Sequence, residues 1–371
     1  MAPVTVASSK LRSRIQGSLG CVQCVDLVEC PTSGRLFIDK HTLMTSYTSD
    51  GRNASAAALK ELDLHLSLRD VEHIVQLERH SFQGERLHLL YEHCARGDLL
   101  DIMQQELRLL TAGVSPHSSF IMTCTDAGRR GVFTAMLRGV QALHNAGIAH
   151  LDLSPENVFV TASGIVKVGD LGHAQRFKHD RPSVQVIQVA KEAYAAPELF
   201  ARTEVDDARQ ADVWSLGVIL WTLCTKRALI RRPSTDSDKL FARMIECGTA
   251  FALKETGVLS QVPAACVDLL VGLLEVNPKS RLSVTAALQH PWVTQETPSR
   301  SQYQRQSIGN LIVKKGKHQH PGEKKTQSCT DSAEICTRIY ACHLSVAKSS
   351  SIPFRLFARH SEETCSIHKC R

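Results

Sequence analysis

No run of apolar residues in this 371-residue chain reaches the ~18 positions needed to cross a bilayer. The longest candidate, Val213 to Cys224, is interrupted by Ser215 and Gly217 and reads as a buried helix. The N-terminus shows no positively charged region leading into an apolar stretch, which argues against a secretory signal. There is no internal repeat. The body of the chain also lacks net charge. The total is +7, yet residues 297–371 hold 13 Lys+Arg against 5 Asp+Glu, leaving 31 against 32, or −1, for residues 1–296. A neutral body disfavours nucleic-acid binding, and only the tail is basic.

What is present points to a globular protein. The chain is 43% hydrophobic and 22% charged, enough for a sizeable core and incompatible with disorder throughout. Its length suits two to three compact units, or one two-lobed domain with an extension. Thirteen cysteines without a secretory signal read as reduced thiols, which places the protein in the cytoplasm or, alternatively, the nucleus. Cys365-x-x-His368-x-Cys370 has a zinc-like flavour, but its spacing is cramped and no second pair matches it.

The spacing of apolar residues predicts a strand-rich first part. Arg14 to Val28 is rich in Val, Ile and Cys around a glycine turn, and Pro31 to Gly34 turns into Arg35-Leu36-Phe37-Ile38. Ala56 to Leu68 carries Leu59, Leu62 and Leu66 at helical spacing and predicts an amphipathic helix. Leu87 to Tyr91 is a further short strand. Helical patterns dominate from Leu99 to Trp292, with Val132, Met136, Leu137, Val140 and Leu143 forming one buried face of a helix over Ala127 to Asn145. After Trp292 the composition shifts to Ser, Gln, Lys and His without sustained periodicity, as in a loosely ordered tail.

The segment His150-Leu151-Asp152-Leu153-Ser154-Pro155-Glu156-Asn157 concentrates chemistry. Asp152 is an acid that can hold or deprotonate a hydroxyl, and Asn157 and Asp170 offer hard oxygens of the kind Mg²⁺ takes beside phosphate oxygens. Taken alone, Asp152 and Asn157 read first as turn residues around Pro155. They are followed, however, by Asp170-Leu171-Gly172, Ala196-Pro197-Glu198, Asp212-Val213-Trp214-Ser215-Leu216-Gly217 and Arg281. In that order and spacing the set resembles the eukaryotic protein kinase family, over roughly residues 11–293.

The resemblance implies an α+β, two-lobed kinase fold with a small antiparallel sheet and one helix over about 11–92, a mainly helical lobe over about 96–293, and a tail over 294–371. It implies ATP and Mg²⁺ as cofactors, with Asn157 and Asp170 as metal ligands and Asp152 as the catalytic acid. Lys40 lies where the family's phosphate-positioning lysine stands and Glu61 where its partner stands; the plain alternatives are a solvated lysine and an exposed helix residue. Gly17, Gly20 and Val22 match a glycine-rich nucleotide loop whose first glycine is Ile15, although a simple hairpin would read the same way. Ile38 falls at the adenine roof. Glu92 and Cys94 fall at the hinge with backbone groups for the adenine edge, Tyr91 behind it, and Asp98 serves either as a ribose ligand or as a helix cap. Asp212 would hold the catalytic-loop backbone, and Glu198 and Arg281 would form a buried ion pair.

Several positions depart from the family. Leu151 replaces an arginine that meets an activating phosphate, and the segment from Asp170 to Glu198 has only Ser183 and Tyr194 as hydroxyl side chains. Activation by phosphorylating this segment is therefore not expected. Leucine here is similar to what myosin-light-chain-type, calmodulin-dependent kinases carry. Ser154 replaces a lysine and Lys191 replaces a threonine, which suggests an exchange in which Lys191 supplies the cation and Ser154 the hydroxyl; the alternative is that Lys191 faces water. Ile15, Ile38 and Asp39 are grounds for a pseudokinase. The expectation is a Ser/Thr kinase acting on protein hydroxyls, with Pro155-Glu156-Asn157 favouring Ser/Thr over Tyr, and with a partner-binding pseudokinase scaffold as the competing class. A regulatory partner at the basic tail, around Phe354-Arg355-Leu356-Phe357, is the third reading.

Overall fold

The computed structural model describes residues 9–295 apart from 18–20, 46–52, 117, 119–120, 187 and 202. Within these the chain folds as two compact units, residues 9–105 with 155–174, and residues 106–154 with 175–295. In chain order the elements are β1 (Lys10–Gln16), β2 (Gln23–Glu29), β3 (Leu36–Leu43), α1 (Ala54–Leu66), β4 (Leu77–Gln83), β5 (Arg86–Glu92), α2 (Leu99–Thr111), α3 (Asp126–Asn145), β6 (Ile148–Ala149), β7 (Val158–Val160), β8 (Val166–Val168) and β9 (Gln175–Arg176). Then follow β10 (Val184–Gln185), α4 (Glu198–Ala201), β11 (Glu204–Val205), α5 (Ala208–Thr225), α6 (Lys239–Cys247), α7 (Thr249–Glu255), α8 (Ala264–Leu273), α9 (Val284–Leu288) and α10 (Pro291–Thr294). The basic tail, with its Cys365/His368/Cys370 and Phe354 to Phe357 readings, lies outside the described residues. No described helix is long and apolar enough to cross a membrane.

The first unit is built on an antiparallel sheet in the order β1-β2-β3-β5-β4. Residues two apart on a strand share a face. Ile38 and Lys40 therefore project to one side, opposite Val25 and Leu89 in register, while Asp39 and His41 project to the other. That second face is polar yet buried. His88 Nδ1 lies 2.9 Å from Asp39, and Asp26 takes two bonds from the Arg14 guanidinium and a third contact from His41 Nε2 at 3.1 Å. Arg86 donates to His41 Nδ1, so the imidazole proton sits on Nε2 and faces Asp26. Asp39 is thereby satisfied away from the face that carries Lys40.

α1 starts where the Asn53 side chain accepts the Ala56 amide, a helix cap. Its leucine stripe misleads. Leu59 and Leu66 are 45% and 37% exposed, and the buried face is Ala58, Glu61, Leu62 and His65. A face that must present a carboxylate and an imidazole inward does not read as the apolar side of a helix.

The second unit is helical and its centre is α5, buried along nearly its whole length as the apolar pattern predicts. A Cβ at Gly217 would fall 2.9 Å from Leu274, so only glycine lets this helix approach so closely. The expected face of α3, from Val132 to Leu143, is fully buried. Trp292 closes the unit, donating its indole N–H to Asp126 at 3.1 Å.

Arg281 is the polar anchor of this core. It grips Glu198 with two bonds of 2.7 and 3.1 Å, donates to the carbonyls of Gln210, Glu275 and Val276, and stacks 5.2 Å over Trp214. All five guanidinium N–H groups are used, and its side chain is fully buried. A lysine offers three donors and no plane. Both Arg281→Lys and Arg281→Ala are expected to destabilise the protein by about 3–5 kcal/mol, because the Glu198 carboxylate loses its partner. Urea unfolding of the two variants beside wild type measures this.

Candidate functional site

In the first unit, β3 carries Lys40 to the buried face of the sheet. Its Nζ donates to Glu61 Oε1 at 2.8 Å and to Asp170 Oδ1 at 3.1 Å. Burial alone would lower the pKa of this ammonium, but the fields of Asp170 and Glu61 outweigh it and hold it above an ordinary lysine. Lys40 is thus a fixed cation at any physiological pH. The same Glu61 oxygen accepts the Tyr91 hydroxyl at 2.9 Å, and the edge of the Tyr91 ring packs against His65 at 4.8 Å. Burial raises the Tyr91 pKa, and Glu61 raises it further, so this phenol stays a donor.

Asp170 has a left-handed backbone (φ 57°), and its Oδ1 receives the Gly172 amide at 3.4 Å. A Cβ on Gly172 would sit 3.3 Å from that oxygen and 3.8 Å from both Glu61 and Lys40. Glycine here keeps the ion cluster compact. The Gly169 amide donates to the Asn157 carbonyl at 2.9 Å, which brings the backbones of the two expected metal ligands together. Among the described residues no group of three or more His, Cys, Asp or Glu is placed to hold a metal alone. One carboxylate and one amide oxygen fit a cation that keeps most of its shell from phosphate and water, as Mg²⁺ does.

Beside this cluster lies a cleft of about 440 Å³, lined by Val25, Ile38, Lys40, Tyr91, Cys94 and Phe159, together with Glu61, His65, Val75, Glu92 and Asp170. Apolar walls with a few converging polar groups suit a planar heterocycle carrying anionic phosphates. The Glu92 amide is taken by the Gln76 carbonyl, and its side chain by Lys167 at 2.6 Å. The Cys94 carbonyl accepts the Gly97 amide at 3.0 Å. Burial pushes the Cys94 thiol up to about 12, so it acts as an apolar wall.

Some expectations need correction. Val22 is not a lining residue; its carbonyl is tied to the Leu43 amide at 2.7 Å and Val25 occupies the cleft instead. Val25 pairs with Lys40 in the β2–β3 register, which puts it beside the cleft's cation. Gly17 has φ +88° and sits against Gln23, a turn only glycine tolerates, but it does not line the cleft. Gly20 lies outside the described residues. Asp98 is also absent from the lining. It is buried and accepts the Asp101 amide at 2.9 Å, so of its two readings the helix cap is the one seen. The aromatic Phe159 and the His65–Tyr91–Glu61 chain were not anticipated as parts of the cleft, since only cross-strand register brings them there.

The second unit holds the acceptor-side groups. Asp212 is completely buried and receives His150 N–H, Leu151 N–H and His144 Nε2, each at 2.8 Å. These bonds hold Leu151 at φ 62°, a conformation that a bulky residue adopts only when its surroundings dictate it. Asp152 follows directly, its amide donating to His150 Nδ1 at 3.3 Å. Lys191 Nζ lies 2.7 Å from Ser154 Oγ and 4.0 Å from the Asp152 carboxylate. The lysine is therefore engaged with the loop and does not simply face water.

Burial raises the Asp98 carboxyl to about 8, with Asp101 adding to it. Because the folded protein binds this proton more tightly than the unfolded chain, the stabilisation is complete below about pH 4 and is lost as pH rises towards about 8. Asp98→Asn keeps a capping side chain and cannot ionise. It is expected to remove a slope of at most about 1.4 kcal/mol per pH unit from the stability profile between these limits, measured by denaturant unfolding across pH.

Comparison with known proteins agrees with this geometry. A family model described as "Protein kinase domain" matches residues 16–293. The chain is 31% identical over 170 residues to the serine/threonine-protein kinase chk1 of Schizosaccharomyces pombe, covering 46% of this chain and 33% of that one. It is 30% identical over 241 residues to the serine/threonine-protein kinase ULK3 of Rattus norvegicus, covering 64% and 45%. It is 28% identical over 241 residues to the serine/threonine-protein kinase grp of Drosophila melanogaster, covering 65% and 43%. The matches thus span less than half the length of these relatives. With the antiparallel sheet, the helical second part and the ordered motifs, they establish that this chain belongs to the protein kinase family, with an α+β fold.

Proposed function

We propose that this chain is a catalytically competent, Mg·ATP-dependent Ser/Thr protein kinase that works without phosphorylation of its own activation segment. The observation that carries this reading is the Lys191 ammonium, 2.7 Å from Ser154 Oγ and 4.0 Å from Asp152. A cation is present beside the acceptor carboxylate even though the usual lysine position holds Ser154. The relationship of the two residues is an exchange.

Bound Mg·ATP would supply the phosphoryl group and much of the charge neutralisation. Asp152 would orient the substrate hydroxyl and take its proton. Lys191 would lend positive charge to the oxygens gathered there, and Ser154 would hold the Lys191 head in place. Asn157 and Asp170 would hold the metal, and Lys40, kept from swinging by Glu61, would hold the phosphates. Independence from phosphorylation is supported by the loop itself. Leu151 is held by Asp212 instead of by a phosphate contact, and Tyr194 is buried, its carbonyl accepting Ser215 Oγ at 2.8 Å. Protein substrates follow from the family; the pathway they belong to is a separate question.

The test is phosphotransfer from radiolabelled ATP by the full chain. Wild type is expected to label a basic protein, and Asp152→Asn to abolish labelling. Lys191→Ala is expected to lower kcat about 10²-fold, the scale of losing one donor at a charge-developing centre. The double variant Lys191→Thr with Ser154→Lys should regain much of the loss. Unchanged activity in Lys191→Ala removes the exchange. Thermal stabilisation by Mg·ATP with no transfer by wild type would instead identify a silent scaffold.

A further inference from the structure

Away from these groups, two thiols of the second unit face each other. Cys224 is the penultimate residue of α5 and Cys266 lies in the first turn of α8, 42 positions along the chain, with their sulfurs 3.6 Å apart. That is van der Waals contact between sulfurs, and a disulfide needs about 2.05 Å. The approach requires about 1.5 Å of movement between helices that already pack together.

The two sulfurs differ in surroundings. Cys224 is partly exposed, whereas Cys266 is fully buried. Two basic side chains flank Cys224: Arg129, which donates to the Cys124 carbonyl at 3.0 Å, and Lys226, which donates to Thr123 Oγ1 at 2.8 Å. The hydrogen bond from Cys266 lowers the Cys224 pKa against the opposing effect of burial, and Arg129 and Lys226 lower it further. The same bond, then burial, raises Cys266. Either sulfur can donate in this contact, and Cys224 is the one with access to solvent. Burial raises the pKa of Cys24, Cys94 and Cys124. A thiol with access to solvent and basic groups beside it, and a second thiol in contact, is the arrangement that reacts with peroxides and then forms a disulfide.

We propose that Cys224 and Cys266 are a peroxide-responsive dithiol site, in which Cys224 is the attacking sulfur and Cys266 the resolving one. In the first step the Cys224 sulfur attacks a hydroperoxide, the O–O bond breaks, and the sulfur is oxidised to a sulfenic acid as the departing oxygen takes the proton that the thiol gives up and leaves as an alcohol or water. In the second step the Cys266 sulfur attacks the Cys224 sulfur, an S–S bond forms, and the sulfenic oxygen leaves as water carrying the Cys266 proton. The product ties the C-terminal end of α5 to the start of α8. α5 also carries Asp212, the carboxylate that fixes His150 and Leu151. The assignment is independent of whether the kinase reading is correct.

The test uses the full chain, fully reduced and then titrated with hydrogen peroxide. Remaining thiols are alkylated and peptides mapped by mass spectrometry. A peptide pair joined through Cys224 and Cys266 is expected to accumulate at lower peroxide than is needed to oxidise the exposed Cys247, to lose two hydrogens, to vanish with dithiothreitol, and to accompany an upward shift in melting temperature. Cys266→Ser is expected to leave a sulfenic acid at Cys224 that dimedone traps. Cys224→Ser should leave Cys266 unreacted in the native protein. Oxidation of Cys224 no earlier than Cys247, or wild-type oxidation past the sulfenic acid with Cys266 still alkylatable after unfolding, overturns the proposal. The wild-type map decides the matter even where a variant fails to fold.

Discussion

A buried ammonium is the constraint on which the first unit is organised. Taking the Lys40 head out of water is costly unless carboxylates come with it. Two do, from residues 21 and 130 positions away in sequence. Meeting that demand turns the Glu61 side of α1 inward, sets Asp170 in a left-handed conformation, and leaves no room for a side chain at Gly172. Tyr91 then shares the Glu61 oxygen. Local choices that look odd singly, such as leucines exposed on α1, follow from the one pairing.

The second unit repeats the logic with the signs reversed. Asp212 is a buried acid that is tolerable because three donors surround it, the His150 and Leu151 amides of the loop before Asp152 and the His144 imidazole at the end of α3. Departures from the family pattern are compensated nearby. Leu151 cannot pair with a phosphate, yet its backbone is held. Ser154 lacks charge, yet Lys191 reaches it. Asp39, unusual on a buried strand, has His88. Such pairings explain how a divergent sequence retains the arrangement, since an unpaired buried polar group would destabilise the fold far more than a relocated partner does.

Motif order made the family readable in the chain. Periodicity made the buried faces of α3 and α5 readable, because those faces are apolar throughout. Where reading failed, polar residues were buried or register had slipped. The inward face of α1 includes Glu61 and His65, so hydrophobicity pointed elsewhere. Val25 stands in the cleft where Val22 was expected, because its cross-strand pairing with Lys40 is not legible from loop spacing. The Tyr91–Glu61 bond and the Cys224–Cys266 contact join residues 30 and 42 positions apart, and only tertiary packing brings them together.

The hydroxyl of Tyr91 has a pharmacological consequence. Because the phenol is fastened to Glu61 and braced by His65, the back of the cleft is a wall instead of a door. Inhibitors that gain potency by threading an aryl arm past a small residue at this point would have to break a charge-assisted bond to enter. Compact, hinge-directed heterocycles would meet no such barrier, and that difference in chemotype tolerance is a selectivity filter written into one side chain.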